Sequence, residues 1–426
     1  MTTTADARPP QVDVECGVLA YSTQGARHEG RLRNSFQDFQ VQELMSLKDV
    51  VQDRAPGLVP VYKVTKSGMD TPHVARELAA MIKSEVNFAG LKDKNATVVQ
   101  YVSARSSRAS APAELRGSRW EAQLVGFSRP VTRALLVGNR FRILVETPED
   151  LGPDIETCFR ACAERRVANF YGYQRFGLKG GVNRRAGRAI VEKDFAGATG
   201  LVLSEPREGE DESAVEARRL CGEGRYAEAV RLFSPRQDME RRVASHLSQK
   251  PGDHVGALRR IPIPIRRLLV NSYQAYLFNL ALSRAIVREV DFSSARSGDN
   301  WARLEEGGLT VGRVHGVKEE VPAEGGAIPL VQIVGYAYRN YGSRFDSVLA
   351  EVMEEEHVSP ASFYIKEAEE MSSEGGFRPA PLLSSDRSFK KEERGVALEF
   401  SLGKGEYATV VLREVLKPEQ PQLAGF

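Results

Sequence analysis

The sequence predicts an α+β fold, in which both ends of the chain build a β-rich core and a large α/β domain is inserted between them. β-rich stretches lie between residues 96 and 146 and return near residue 395, and mixed patterns with two good helix candidates occupy the middle. At roughly 150 residues per domain, a chain of 426 residues has two or three domains. We expect a discontinuous core, residues 1–168 and 381–426, and an inserted domain, residues 169–380.

The first predicted helix and the turn that follows it are defined by local patterns. Thr71 is a candidate N-cap with Pro72 at the first helical position, and apolar residues then recur at helical spacing. Residues 86–90 predict a short strand, and residues 96–104 predict a longer one. The connection between them, Leu-Lys-Asp-Lys-Asn at 91–95, therefore joins two strands, where a rigid scaffold can present a side chain at a sheet edge.

Four further elements follow along the chain. Residues 121–127 and 140–146 predict strands. Residues 154–170 predict a helix with apolar residues on one face, and residues 266–289 predict a helix that is apolar nearly all round and therefore buried.

The composition excludes several classes of protein. Hydrophobic residues at 42% and charged residues at 27% are typical of a soluble globular chain. No run approaches about 18 consecutive apolar residues, which argues against a membrane-spanning helix, and the first residues lack the pattern of a secretory signal. Four scattered cysteines and six scattered histidines form no zinc pattern. We expect a cytoplasmic protein without a metal.

Positive charge is concentrated in two stretches. The net charge is +2, but residues 101–142 hold eight arginines against two glutamates, and residues 160–193 hold nine Lys and Arg against two glutamates. Acidic clusters lie elsewhere, at 204–213 and 351–357. Such segregation is typical of a nucleic-acid footprint. The alternative is a solvated face whose arginines pair with carboxylates elsewhere, and charge alone does not decide between the two.

The segment NFYGYQRFG (169–177) combines aromatic residues, a glutamine and an arginine between glycines. One interpretation is a loop that packs its aromatic rings into a domain junction. The other is contact with nucleic acid through stacking and phosphate pairing. No Walker A loop, dinucleotide fingerprint or Ser/His/Asp signature is convincing, so no cofactor is expected.

Five motifs, taken in order, resemble those of the TruD family of tRNA pseudouridine synthases. They are RLRNSFQDFQVQEL (31–44), FAGLKDKNATVVQYVSA (88–104), VGNRFRILV (137–145), NFYGYQRFG (169–177) and GEYATVVLREVL (405–416). The match spans both chain ends and is thin across 178–380. The resemblance implies a pseudouridine-synthase-like core with a curved, mostly antiparallel sheet, and identifies the inserted domain as the family's TRUD domain.

The resemblance also implies roles for individual residues. Asp93 falls on the catalytic aspartate common to pseudouridine synthases, and Phe141 falls on the aromatic that stacks on the target base. Phe39, Asn139 and Tyr407 match positions that line the uridine pocket.

Basic residues complete the expected site. A cation within about 4–6 Å favours the ionised form of a carboxylate. Arg33, Lys92 and Lys94 are the candidates beside the aspartate, and the resemblance favours Arg33. Arg33 and Lys92 are expected to contact the substrate, and Arg140, Arg142 and Arg175 to contact RNA.

The chemistry agrees with this assignment. Isomerising uridine breaks the glycosidic bond, rotates the base and rejoins it through carbon, so nothing is oxidised and no cofactor is required. Taking the base out of its stack costs a few kcal/mol, of which a flat aromatic such as Phe141 recovers part. Whether the aspartate adds to the sugar, adds to the base or removes a ribose proton stays open.

We therefore expect a monomeric tRNA pseudouridine synthase, an isomerase that acts on the uridine at position 13, with tRNA as its partner and no membrane or protein partner. One alternative is a non-catalytic RNA-binding or tRNA-folding protein on the same scaffold. The other is a pseudouridine synthase with other RNA targets.

Overall fold

The computed structural model describes residues 7–148, 151–164, 167–177, 181–207, 209–305, 307–323 and 325–426. Arg165, Arg166 and Lys179, which contribute to the second basic stretch, lie outside these ranges. The strands are β1 (Phe39–Met45), β2 (Val59–Ser67), β3 (Val86–Phe88), β4 (Thr97–Ala104), β5 (Glu114–Arg116), β6 (Trp120–Ser128), β7 (Leu136–Glu146), β8 (Asn300–Leu304), β9 (Val311–His315), β10 (Ala327–Ile333), β11 (Gly376–Pro379), β12 (Ser384–Glu392) and β13 (Gly395–Gly403).

The strands form two sheets. The larger one has nine strands among the described residues, in the order β12-β13-β7-β1-β4-β2-β6-β5, with β3 also paired to β4. All its pairs are antiparallel except β1 and β4, which run parallel. This sheet is curled, so the predicted α+β class and the curved, mostly antiparallel core are confirmed. The smaller sheet has the order β11-β10-β8-β9.

The larger sheet joins strands from both ends of the chain. Strand β13 pairs with β7, more than two hundred residues earlier in sequence, with Phe400 opposite Phe141 and Leu402 opposite Asn139, and β12 pairs with β13. The helical segment and the smaller sheet lie between β7 and β12 in the chain. The proposed boundaries of the inserted domain, 169–380, stay a prediction.

Helices surround the larger sheet and build the middle of the chain. They are α1 (Gln11–Glu15), α2 (Thr71–Ile82), α3 (Gly152–Glu164), α4 (Val182–Val191), α5 (Phe195–Ser204), α6 (Glu212–Gly222), α7 (Tyr226–Leu232), α8 (Asp238–Gln249), α9 (His254–Leu258), α10 (Ile263–Val287), α11 (Arg344–Glu355) and α12 (Ala408–Leu416). The predicted buried helix at 266–289 is confirmed as α10, which packs against α4 and α11. None of the described helices is long and apolar enough to cross a membrane.

The predicted cap of the first long helix is wrong by one residue. The N-cap of α2 is Asp70, whose carboxylate accepts a hydrogen bond from the His73 N–H at 2.8 Å. Thr71 is buried inside the first turn, and its hydroxyl donates instead to Gln100 Oε1 on β4 at 3.0 Å. Aspartate is as good a cap as threonine or better, and the long-range partner decides which residue takes the position.

The predicted helix at 154–170 is correct only in its first part, because α3 ends at Glu164. Residues 167–170 are extended and pair with the segment before β12. Leu382 N–H donates to the Val167 carbonyl at 2.7 Å, and Asn169 N–H donates to the Ala380 carbonyl at 2.8 Å. This pairing satisfies the buried backbone and overrides the helical pattern.

Two large apolar clusters stabilise different parts of the larger sheet. One lies between α2 and strands β2, β4 and β6, and includes Tyr62, Leu78 and Trp120. The other joins the β1–β7–β13 region to α3, α10 and α12, and includes Phe141 and Phe400. Because α12 packs into this second cluster, the residues just before it are brought onto the face of the sheet that carries Phe141.

Candidate active site

A small pocket of about 160 Å³ opens where β1, β4 and β7 meet the start of α12. Seven of its lining residues are the predicted catalytic and substrate-binding residues: Arg33, Phe39, Lys92, Asp93, Asn139, Phe141 and Tyr407. These residues come from distant parts of the chain, and the fold brings all of them together. Their functional roles stay predictions, but their common location is a property of the structure.

Asp93 lies on the turn between β3 and β4, as the sequence predicted. Thr71 Oγ1 accepts a hydrogen bond from the Lys92 N–H at 3.1 Å, and Gln100 Nε2 donates to the Gly90 carbonyl at 2.8 Å. Because Thr71 also donates to Gln100, one buried pair of side chains ties α2, β4 and the turn together. The turn is therefore held at two points that precede Asp93 in sequence.

Arg33 is the cation that contacts Asp93. Its Nη2 lies 3.2 Å from Asp93 Oδ2, and its guanidinium lies over the Phe39 ring at 4.1 Å. Burial lowers the pKa of Arg33, and the Asp93 carboxylate offsets part of that effect. The Arg33 backbone has a φ of 60°, a left-handed conformation that is uncommon for a residue with a side chain and concentrates at functional sites.

The other predicted cations do not contact the Asp93 carboxylate. Lys92 Nζ lies 2.9 Å from Glu43 Oε1, with side-chain exposures of 10% and 0%. The second Glu43 oxygen accepts the Tyr101 N–H at 2.8 Å. Lys92 is therefore one half of a buried ion pair below the turn, and Lys94 is exposed to solvent.

Aromatic rings form the apolar side of the pocket. Phe141 stacks on Phe400 with ring centroids 5.5 Å apart, and Phe39 meets Phe141 edge-on at 6.2 Å. These contacts fix the Phe141 ring, and 8% of the surface of the Phe141 residue is exposed. A planar base that enters the pocket therefore meets a ring whose orientation is already set.

Asn139 supplies a polar group without a partner. It lies on β7 two residues before Phe141, so both side chains point to the same face of the sheet. Its Oδ1 atom is buried and makes no hydrogen bond to the protein. A buried amide oxygen in this state is ready to accept a hydrogen bond from a ligand.

Tyr407 and its neighbour Glu406 form the wall of the pocket that comes from the C-terminal end of the chain. Tyr407 was predicted from the sequence, and Glu406 was not. The Glu406 carboxylate accepts hydrogen bonds from the Leu383 and Gly403 N–H groups at 2.8 and 2.9 Å, and from Asn169 Nδ2 at 3.2 Å. Burial raises the pKa of Glu406 to about 7 and also raises that of Tyr407. The spacing of charges in sequence carries no signal for Glu406, because its hydrogen-bond partners are two backbone N–H groups and the uncharged Asn169 amide.

The segment 169–177 packs mainly into the interior, which supports the domain-junction interpretation for its aromatic rings. Phe170 and Phe176 are buried, and the Tyr173 hydroxyl bonds to Asp13. Tyr171 lies between Phe278 and Tyr407, with the Arg378 guanidinium 4.3 Å from its ring centroid. Gln174 is the residue of this segment that reaches the pocket, and sequence analysis did not separate it from its neighbours.

The arginines expected to bind RNA occupy different environments. The Arg175 guanidinium lies 5.5 Å from the centroid of the Tyr171 ring. The positive charges of Arg175 and of the exposed Arg133 favour a lower pKa of the Tyr407 hydroxyl and offset part of the effect of burial. Arg140 and Arg142 alternate with Asn139 and Phe141 on β7, so they lie on the opposite face of the sheet from the pocket. Arg142 is paired there with Glu392 and Glu399.

Both interpretations of the basic stretches therefore have support. In the second stretch, Arg185 and Arg188 pair with glutamates, one of them Glu356 of the acidic cluster at 351–357. In the first stretch, the exposed Arg119, Arg129 and Arg133 have no carboxylate within 4 Å in the described part of the chain. Within the described ranges, His, Cys, Asp and Glu side chains form no group of three or more that could hold a metal ion.

A pocket with an ion-paired aspartate and a flat aromatic side, set on a curled, mostly antiparallel sheet, fits an enzyme of the class that acts on RNA bases. The family model for tRNA pseudouridine synthase D (TruD) matches residues 15–415. The chain belongs to the TruD family.

Proteins similar to this chain cover it almost completely. The probable tRNA pseudouridine synthase D of Methanosarcina acetivorans is 30% identical over 440 residues, covering 97% of this chain and 99% of the relative. That of Methanopyrus kandleri is 34% identical over 372 residues, covering 84% and 86%. The crystal structure of the putative tRNA pseudouridine synthase D from Methanosarcina mazei matches with a TM-score of 0.77 at 29% identity, covering 96% of this chain and 98% of that one.

The buried pair of Lys92 and Glu43 generates a testable prediction. Lys92→Met leaves a buried carboxylate without its cation, and we expect it to lower the free energy of unfolding by about 3 kcal/mol. Adding Glu43→Gln to Lys92→Met should recover more than half of that loss, because the neutral amide can still accept the Tyr101 N–H. Urea denaturation of the single and double variants measures both effects.

A solvent-exposed pair provides the matched control. Arg116 lies 3.5 Å from Glu114, with side-chain exposures of 74% and 61%, so Arg116→Met should change the free energy of unfolding by less than about 0.5 kcal/mol. If Lys92→Met instead weakens tRNA binding without loss of stability, Lys92 is the direct substrate contact that the sequence predicted.

Proposed function

We propose that this protein isomerises a uridine of tRNA to pseudouridine, with Asp93 as the catalytic residue. The observation that carries the proposal is the position of Asp93, whose carboxylate lies 3.2 Å from Arg33 and lines an aromatic pocket of about 160 Å³. Membership of the TruD family, over residues 15–415, supports the reaction and the tRNA substrate.

The residues that line the pocket complement uracil, which supports uracil as the target base. The fixed Phe141 ring offers a stacking surface, which offsets part of the cost of taking the base out of the RNA stack. The unpartnered Asn139 Oδ1 offers an acceptor for the N3–H group of uracil, and the amide nitrogen offers a donor for a carbonyl oxygen. Tyr407 closes the opposite wall.

Asp93 and Arg33 supply the polar groups on the ribose side. The side chain of Asp93 is 38% exposed and that of Arg33 is 16% exposed, so the carboxylate is the more accessible of these two groups that line the pocket. The reaction requires an ionised carboxylate whether Asp93 attacks carbon or removes a proton, and the guanidinium places a positive charge beside it. Phe39 holds the guanidinium in place through the face of its ring.

We propose that RNA reaches the pocket across the arginines at its mouth, Arg133 and Arg175. The predicted RNA contacts of Arg140 and Arg142 would require the RNA to reach the opposite face of the sheet. We further propose that the target is the uridine at position 13, and that the protein acts as a cytoplasmic monomer.

The catalytic role of Asp93 is tested by Asp93→Asn. The substitution keeps the shape and an acceptor for Arg33 but removes the charge, so we expect pseudouridine formation to fall by at least about 10³-fold. The dissociation constant for tRNA should change by less than about threefold, roughly 0.6 kcal/mol. Pseudouridine mapping at single-nucleotide resolution on unmodified tRNA, with a filter-binding assay beside it, measures both.

Asp53→Asn is the matched control, because Asp53 is exposed on the connection between β1 and β2 and lies outside the pocket lining. It should leave both rate and binding unchanged. Product formed by Asp93→Asn at the unsubstituted rate would refute the role of Asp93. Tight tRNA binding with no product from the unsubstituted protein would favour the non-catalytic RNA-binding alternative, and a product at another position would identify a different target.

The path of the RNA is tested by the salt dependence of binding. Each arginine–phosphate contact releases counterions, so losing one contact lowers the slope of log K against log salt by about one. We expect this change for Arg133→Gln, because Arg133 is exposed and its charge acts on the Tyr407 hydroxyl, and no change for Arg140→Gln, which is also exposed but lies on the other face. A changed slope for Arg140→Gln alone would place the RNA on the face that the sequence predicted.

A further inference from the structure

Lys66 is a buried cation. It lies outside the five sequence motifs and does not line the pocket that contains Asp93. It lies on β2 between Val98 of β4 and Trp120 of β6, and 1% of its surface is exposed. No carboxylate of the described residues lies within ion-pair distance of its amine. Burying an ammonium group without a paired charge costs free energy that an apolar side chain of the same length would not cost.

The amine of Lys66 contacts the backbone that carries Asp93. Nζ donates to the Asp93 carbonyl at 3.0 Å and to the Met69 carbonyl at 2.7 Å. Met69 lies just before α2, and Asp93 lies on the turn before β4. One side chain therefore joins the start of the helix to the backbone of the proposed catalytic residue.

This contact differs from the other two that hold the turn. Thr71 and Gln100 bind the backbone of Lys92 and Gly90, which precede Asp93 in sequence. Lys66 binds Asp93 itself, and it does so with a charged donor, whose hydrogen bonds are roughly twice as strong as those of neutral donors. The carboxylate of Asp93 is held by Arg33 and its carbonyl by Lys66, so both ends of the residue are fixed by cations.

We propose that Lys66 is a positioning residue for Asp93, which fixes the backbone of the turn so that the carboxylate remains beside Arg33 and faces the pocket. This inference rests on the proposed catalytic role of Asp93. Lys66 does not touch the substrate, because it lies below the turn and outside the pocket lining. Its loss therefore affects the chemical step and leaves RNA binding intact.

Lys66→Met tests the inference, because a methionine side chain fills the same buried space but has neither a charge nor a hydrogen-bond donor. We expect the single-turnover rate constant for pseudouridine formation at saturating tRNA to fall about 100-fold, the effect of misplacing a catalytic group by about 1 Å. The dissociation constant for tRNA should stay within about threefold of the unsubstituted value. A rate constant within about threefold would overturn the proposal.

Lys417→Met is the matched control for the effect of removing a buried lysine. Lys417 is also 1% exposed, and its amine donates to Thr23 Oγ1 at 2.9 Å and to the Glu414 carbonyl at 2.7 Å, at the far end of α12 from the pocket. Both variants should lower Tm, but Lys417→Met should keep the rate constant of the folded protein. An equal loss of rate in the two variants would mean that Lys66 acts through stability alone, which also overturns the proposal.

The pH dependence of the unsubstituted protein is a second measurement, which holds even if Lys66→Met does not fold. Burial lowers the pKa of Lys66 to about 8. The charged groups that face its amine are Asp93 and Lys92 on the turn, Asp70 before α2 and Glu43 on β1.

Lys66 is charged below that pKa and loses its charge above it, so the single-turnover rate constant should decline severalfold as the pH rises through about 8. Lys66→Met, where it folds, should lack this decline. A flat profile for the unsubstituted protein across this range would overturn the proposal. Activity retained by Asp93→Asn would instead refute the proposed catalytic role of Asp93, so the two failures are distinguishable.

Discussion

The contact between Arg33 and Asp93 is the interaction on which the pocket depends. The half-exposed Asp93 carboxylate lies beside aromatic rings, and Arg33, whose backbone has a left-handed conformation, places its guanidinium 3.2 Å away. The guanidinium in turn rests on Phe39, which packs edge-on against Phe141. One continuous set of contacts therefore holds both the Asp93 carboxylate, on which the proposed reaction depends, and the Phe141 ring, on which the base would stack.

The topology of the larger sheet explains how these residues meet. Strands β1 and β4 run parallel, so the start of β1, with Phe39, lies beside the turn that carries Asp93 before β4. Strand β13 pairs with β7 and is followed by α12, which brings Tyr407 from the C-terminal end of the chain to the same pocket. The pocket therefore requires both ends of the chain, and the segment between them returns to it through Gln174.

The residues of the pocket were predictable from the resemblance of five motifs to the TruD family, and the strand-turn-strand pattern placed Asp93 on a connection between strands. The predicted strand at 140–146 began after Asn139, which lies on β7. The buried partners were not predictable, because they depend on residues distant in sequence. The Thr71 hydroxyl does not cap α2, because it donates a hydrogen bond to Gln100. Arg142 contacts Glu392 and Glu399 because β13 pairs with β7. Lys66 and Glu406 bind backbone groups, which leave no pattern in the order of side chains.

The most direct test is a crystal structure of the Asp93→Asn variant bound to unmodified tRNA. We expect one uridine unstacked from the RNA, with its uracil against Phe141 and Tyr407, the Asn139 amide within hydrogen-bond distance of the base, and the ribose beside residue 93. Fully stacked RNA with the pocket empty, or RNA bound across the face of Arg140 and Arg142 alone, would contradict it.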